Sequence, residues 1–156
     1  MTALAAKANC ADEAHVMRSR VVDTWDSDVA GMLTTVQALL SCWTHGLAGE
    51  DDPETVIDVK QASSEQLATY AICELLARAK QVGTGVGGSA AVELRVMHAW
   101  ALMASIESAL WNVSQCGPAV GPTLGELAIA GRHVIRLVES CLCELRDGAA
   151  SKGDPS

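Results

Sequence analysis

The stretch from Ser89 to Gln115, SAAVELRVMHAWALMASIESALWNVSQ, constrains this chain more than any other. At about 100° per residue, Ala99, Leu102, Met103, Ile106, Leu110 and Val113 fall on one broad face, as a core-facing helix requires. Ser105, Ser108, Asn112 and Gln115 lie roughly opposite. A second stripe of Glu93, Met97, Trp100, Ala104 and Trp111 runs along the flank, with Glu107 at its border. Side chains three and four apart are neighbours on a helix, so the apolar members of that stripe form one connected strip. A helix greasy on two flanks must meet more than a single neighbour.

The rest of the chain supplies the companions. From Asp12, the residues Met17, Val21, Trp25, Val29, Met32, Val36, Leu39, Leu40 and Trp43 recur at three and four, predicting a long helix over 12–46. Gly46 and Gly49 act as stop signals. Asp23, Asp26, Ser27 and Asp28 offer an alternative start, because such side chains accept hydrogen bonds from free amide groups. Asp52-Pro53-Glu54 reads as the start of a short helix around 53–61. Ser63 and Gln66 then match a capping box for a helix over 64–82, carried by Leu67, Ala71, Ile72, Leu75, Leu76, Ala79 and Val82. The central helix follows over 90–115. Thr123 and Glu126 form a second capping box, opening a helix over 123–147 with Leu127, Gly131, Val134, Ile135, Val138, Leu142 and Leu145 on one face. Ala128, Ala130 and Gly131 permit a close helix crossing. Gly148 is the expected stop.

The expected fold is all-α, an antiparallel four-helix bundle, with five or six helices if the first long one breaks. One domain over 12–147 is expected, between a flexible segment 1–11 and a disordered tail 148–156. Composition agrees with helical layers. Hydrophobic residues make up 49% of the chain while aromatics reach only 3%, with no Phe, so Ala, Leu, Val and Met must fill most of the interior. Ala-rich helices approach closely and form layers on one another.

A formal charge of −8 opposes nucleic-acid binding, which needs a basic footprint. No basic amphipathic face suits anionic lipid, and no apolar run is long and clean enough for a membrane span or a secretory signal. The six Cys sit mainly in helical surroundings, so free thiols and a cytoplasmic location are expected.

Motifs for chemistry are sparse. Gly83, Gly85 and Gly88 match G-x-G-x-x-G, but a dinucleotide site needs a strand before the glycines, and a helix is expected there. Cys42 and His45 are three apart on a helix, half of a zinc site with no visible second half. Glu107 and His98 are the candidate acid–base groups, Glu107 because Met103, Leu110 and Trp111 surround it at helical spacing. No cofactor is implied. The leading expectation is a non-enzymatic module that self-associates as a homodimer through Met97, Trp100, Ala104 and Trp111, with Trp43 and Trp25 as further anchors. The alternatives are docking of a partner helix, or an apolar small-molecule binder or small cofactor-free enzyme. The latter would use a Trp-lined interhelical pocket with Glu107 or His98 as acid or base.

Overall fold

In the computed structural model, residues 28–49, 52–83 and 89–153 are described. Among the described residues four α-helices pack as a bundle: α1 Val29–Gly49, α2 Val59–Val82, α3 Ala90–Cys116 and α4 Leu124–Lys152. They pack in ring order, α1 against α2 and α4, and α3 against α2 and α4. Cross-helix contacts run in opposite chain order, Gln37 with Glu139 and Trp43 with Gly131 between α1 and α4, and Gln66 with Glu107 and Lys80 with Trp100 between α2 and α3. Trp43 also meets Glu65 between α1 and α2. Each neighbour runs antiparallel to the last.

The helices begin where short polar side chains accept amide hydrogens. Asp28 accepts from Ala30 N, Asp58 from Gln61 N at 2.7 Å and Ser89 from Val92 N. At Thr123 both halves of the capping box are present: Glu126 N donates to Thr123 Oγ1, and Thr123 N donates to Glu126 Oε2. Such caps contribute about 1 kcal/mol each.

Three sequence expectations are corrected here. Ser63 is not a cap: α2 already starts at Val59 behind Asp58, and Ser63 Oγ donates back to Val59 O inside the helix. The short helix around 53–61 does not form. Residues 52–55 make one turn, and Ile57 is then driven fully into the core. Gly148 does not stop α4, which runs on to Lys152. A single exposed glycine costs only about 1 kcal/mol in a helix, too little to break one already propagating. Residues 12–27 of the helix expected over 12–46, with Trp25 among them, lie outside the described residues, as do segment 1–11 and the last three residues of the expected tail.

The core is aliphatic. Met32, Leu33, Val36, Leu40, Ile72, Leu76, Val92, Met103, Leu110, Val134 and Val138 are all but inaccessible, and Trp43 is the one buried aromatic among the described residues. Full burial of such side chains contributes about 1.5–3 kcal/mol each. Gly131 sets the α1–α4 spacing: a methyl there would lie 2.4 Å from Thr44 Cγ2 and 3.0 Å from Trp43 Cζ3. The expected close crossing is therefore real, and its counterpart is the ring of Trp43.

One end of the bundle is stapled by the loop before α2. Leu124 N donates to Thr55 O, Ile57 N to Pro122 O and Gly125 N to Pro53 O, each at about 3 Å, drawing 53–57 across the α3–α4 connection. At the far end, Glu144 accepts from both Ser89 Oγ and Arg95 Nη1, clasping the start of α3 to the end of α4. These two bonds pull the Glu144 carboxyl below its usual value, Ser89 first and Arg95 second. No helix among the described residues is long and apolar enough to cross a membrane.

Candidate interaction face

α3 shows its second apolar flank on the outside. Val92, Val96, Ala99, Met103, Ile106, Leu110 and Val113 face the core. The neighbouring flank carries Met97, 43% exposed, and Trp111, 51% exposed, with Trp100 and Ala104 half-buried between them. All four lie on the side of α3 turned toward α2, since Trp100 and Glu107 of that flank meet Lys80 and Gln66.

α2 adds apolar surface that the sequence pattern of α3 alone does not reveal. Tyr70 and Leu67 are 53% and 71% exposed. On α2, Tyr70 lies about 40° around the helix from Gln66 and Leu67 about 100°, so the pairing of Gln66 with Glu107 turns Tyr70 toward the α3 strip while Leu67 points outward. The sequence pattern left Tyr70 off the core stripe of α2 but placed Leu67 on it, whereas the structure leaves Leu67 exposed. That pattern lacks the register between helices that turns Tyr70 toward the strip.

The polar groups inside this face are already engaged. Gln66 Nε2 donates to Glu107 Oε1 at 2.7 Å. The Lys80 ammonium rests over the Trp100 ring, 3.6 Å from its centroid, a contact worth about 0.5–1 kcal/mol at an exposed position.

The other sequence candidates separate. Trp43 leaves the strip altogether: it is 8% exposed, packs between α1 and α4, and donates its indole N–H to Glu65 Oε2 at 2.5 Å. A side chain so held anchors the core and not a partner. Glu107 and His98 lie about 180° apart around α3 at about 100° per residue, so they do not converge on one centre. His98 instead faces α4 in a shallow groove with Ser105, His133 and Leu137. Cys42 and His45 are both exposed on α1. Among the described residues no group of three or more His, Cys, Asp or Glu is placed to hold a metal ion. Gly83 closes α2 with φ of +64°, its N–H bonded to Ala79 O, so a helix precedes the glycines. Gly85 and Gly88 lie outside the described residues.

The five cysteines among the described residues are free. Burial is the main force raising the Cys73 thiol to about 11, with Glu107 and Glu74 adding to it, and burial also raises Cys141. Both are poor nucleophiles, because the thiolate is the reactive form. Cys42, Cys116 and Cys143 are exposed.

Two cavities flank the bundle ends. One of about 450 Å³ is polar, bordered by His45, Gln61, Glu65 and Leu124. The other, about 540 Å³, lies where α1, α2 and α3 meet, bordered by Lys80, Gln81 and Glu93 as well as Leu94 and Met97, and by no described Trp. The Trp-lined pocket expected from sequence is not what either cavity offers. Comparison with protein-family models, curated proteins and solved structures gives no match.

Proposed function

We propose that the protein is a non-enzymatic helical bundle that self-associates as a two-fold dimer through the outer α2/α3 face. The observation that carries this reading is the exposure of Met97 and Trp111 on α3, with exposed Tyr70 on the neighbouring flank of α2. Large aromatic and Met side chains dominate the energetics of association when water is excluded from them.

A second copy is the occupant for two reasons. The chain carries a net charge of −8, so copies repel except where charge is sparse. In this face the carboxylate of Glu107 is bound by Gln66 and the ammonium of Lys80 by Trp100, which lowers the penalty of covering them. Ala104, the smallest member of the strip, lies between Trp100 and Trp111. A two-fold axis near it would set a bulky side chain of each copy against the Ala104 of the other. The free thiols support a reducing location such as the cytoplasm.

Sedimentation equilibrium tests the dimer. Wild type is expected to sediment as a dimer at high micromolar concentration, and Trp111→Glu or Met97→Glu as a monomer with unchanged helical circular dichroism. Ile129→Glu, which removes an exposed apolar residue from α4, is expected to leave the dimer intact. Wild type that stays monomeric throughout would remove the proposal.

A further inference from the structure

The end of the bundle where α1 stops and α2 and α4 start carries a charge pattern that self-association leaves unused. The segment before α2, the first two turns of α2 and the first turn of α4 hold Asp52, Glu54, Asp58, Glu65 and Glu126, against Lys60 as the one Lys or Arg. The staple of 53–57 across the α3–α4 connection gathers these segments. An end of one sign concentrates cations near it. Set into it is the polar cavity of about 450 Å³, within the range of small-molecule sites, about 300–1,000 Å³.

The walls of this cavity present acceptors. Gly46, Leu47 and Gly49 of the last turn of α1 border it, and carbonyls of a helix's last turn lack partners inside the helix. No basic side chain lies in that turn to answer them. Gln61 and Glu65, one turn apart on α2, are half-buried along the α2 wall. Glu65 is held in place: the buried Trp43 donates its indole N–H to Oε2 at 2.5 Å, while Oε1 accepts no bond among the described residues. Leu124, on the α4 side, is pinned by its N–H to Thr55 O at 3.0 Å. The carboxylate and its surroundings are thus fixed before any ligand arrives, and no described Lys or Arg borders the cavity.

We infer that this cavity binds a small molecule through a primary ammonium group, which donates to Glu65 Oε1, to the Gln61 side-chain oxygen and to a carbonyl at the end of α1. An ammonium carries three N–H donors and no acceptor, so it matches walls that offer acceptors from two helices. Its bond to the carboxylate is charge-assisted and the strongest of the three. A quaternary ammonium brings the charge without the donors. The site is separate from the proposed dimer, since none of the residues that border it belongs to the outer α2/α3 face.

Butylammonium chloride is the probe, titrated into the full chain and followed by the indole N–H signal of Trp43 in heteronuclear NMR. Tetramethylammonium chloride at equal ionic strength is the control. Butylammonium is expected to shift the Trp43 signal saturably, because it draws on the carboxylate that the indole binds, and tetramethylammonium is expected to leave it in place. Glu65→Gln keeps an acceptor for Trp43 and removes the charge, so it should weaken butylammonium about tenfold. Gln61→Leu, which removes one neutral acceptor, should weaken it about threefold to tenfold. Absence of a saturable shift would overturn the inference, as would an equal response to tetramethylammonium or a Glu65→Gln variant that binds like wild type. Unchanged affinity in Gln61→Leu would overturn the placement of the ammonium. Sedimentation of the same samples keeps the two proposals apart: a monomer that still binds butylammonium sinks the dimer and supports the cavity.

Discussion

Trp43 and Glu65 are joined across the α1–α2 interface by an indole N–H donated to a carboxylate oxygen at 2.5 Å. The indole is otherwise enclosed by the core, with Gly131 of α4 under its ring. One residue thus ties three helices, by packing on one side and a charge-assisted hydrogen bond on the other. No buried side-chain nitrogen or oxygen among the described residues is left without a partner.

Glu65→Leu should therefore destabilise the bundle by about 1–3 kcal/mol, because the enclosed N–H loses its acceptor. Glu65→Gln, which keeps an acceptor oxygen, should cost clearly less. Urea denaturation followed by circular dichroism separates the two; equal losses would mean that the bond contributes nothing.

Two glycines of α4 should respond to alanine with opposite signs. At Gly148 a methyl meets nothing within 4 Å, so Gly148→Ala should stabilise by about 0.5–1 kcal/mol through helix propensity. At Gly131 the methyl would enter the Thr44 and Trp43 side chains, and overpacking of about 1–3 kcal/mol outweighs the same gain. Melting temperatures of the two variants, one up and one down, check the pair.

Glu144 makes the clasp at the α3–α4 end pH-dependent. Its carboxyl titrates below the ordinary glutamate value when folded, through its bonds to Ser89 and Arg95. The folded state thus holds the charged form more tightly than the unfolded chain does. The stabilisation is fully present above the unfolded value and falls away as pH drops through the folded one. Wild type should melt above Glu144→Gln at neutral pH, and the gap should close on acidification below the ordinary glutamate range. A gap that persists in strong acid would contradict this assignment.

Thiol labelling should divide the cysteines by burial. Cys42, Cys116 and Cys143 should react with a maleimide within the first minutes under native conditions, while Cys73 and Cys141 should react only after denaturant is added. Peptide mapping by mass spectrometry gives the order. Native labelling of Cys73 at the rate of Cys143 would show that α2 and α3 part readily.

Much of the secondary structure was legible because it depends on local chemistry. The Thr123/Glu126 box formed as read, the helix over 90–115 emerged as Ala90–Cys116, and the Ala128–Gly131 run made its close crossing. The box read at Ser63 and Gln66 failed for a reason outside any local window. Asp58 captured Gln61 N first, and the Gln66 amide was taken by Glu107 from the next helix. Trp43 was misread as an anchor because periodicity gives the face of a helix but not what covers it.

By itself the sequence determined four helices, their antiparallel order and the two-flanked character of α3, because spacing at three and four, short connections and capping side chains act within a few residues. Only the tertiary structure decided which greasy flank stays uncovered and which Trp goes inside. Those outcomes depend on the register between helices, which joins residues far apart in the chain, as Gln66 with Glu107 and Trp43 with Gly131.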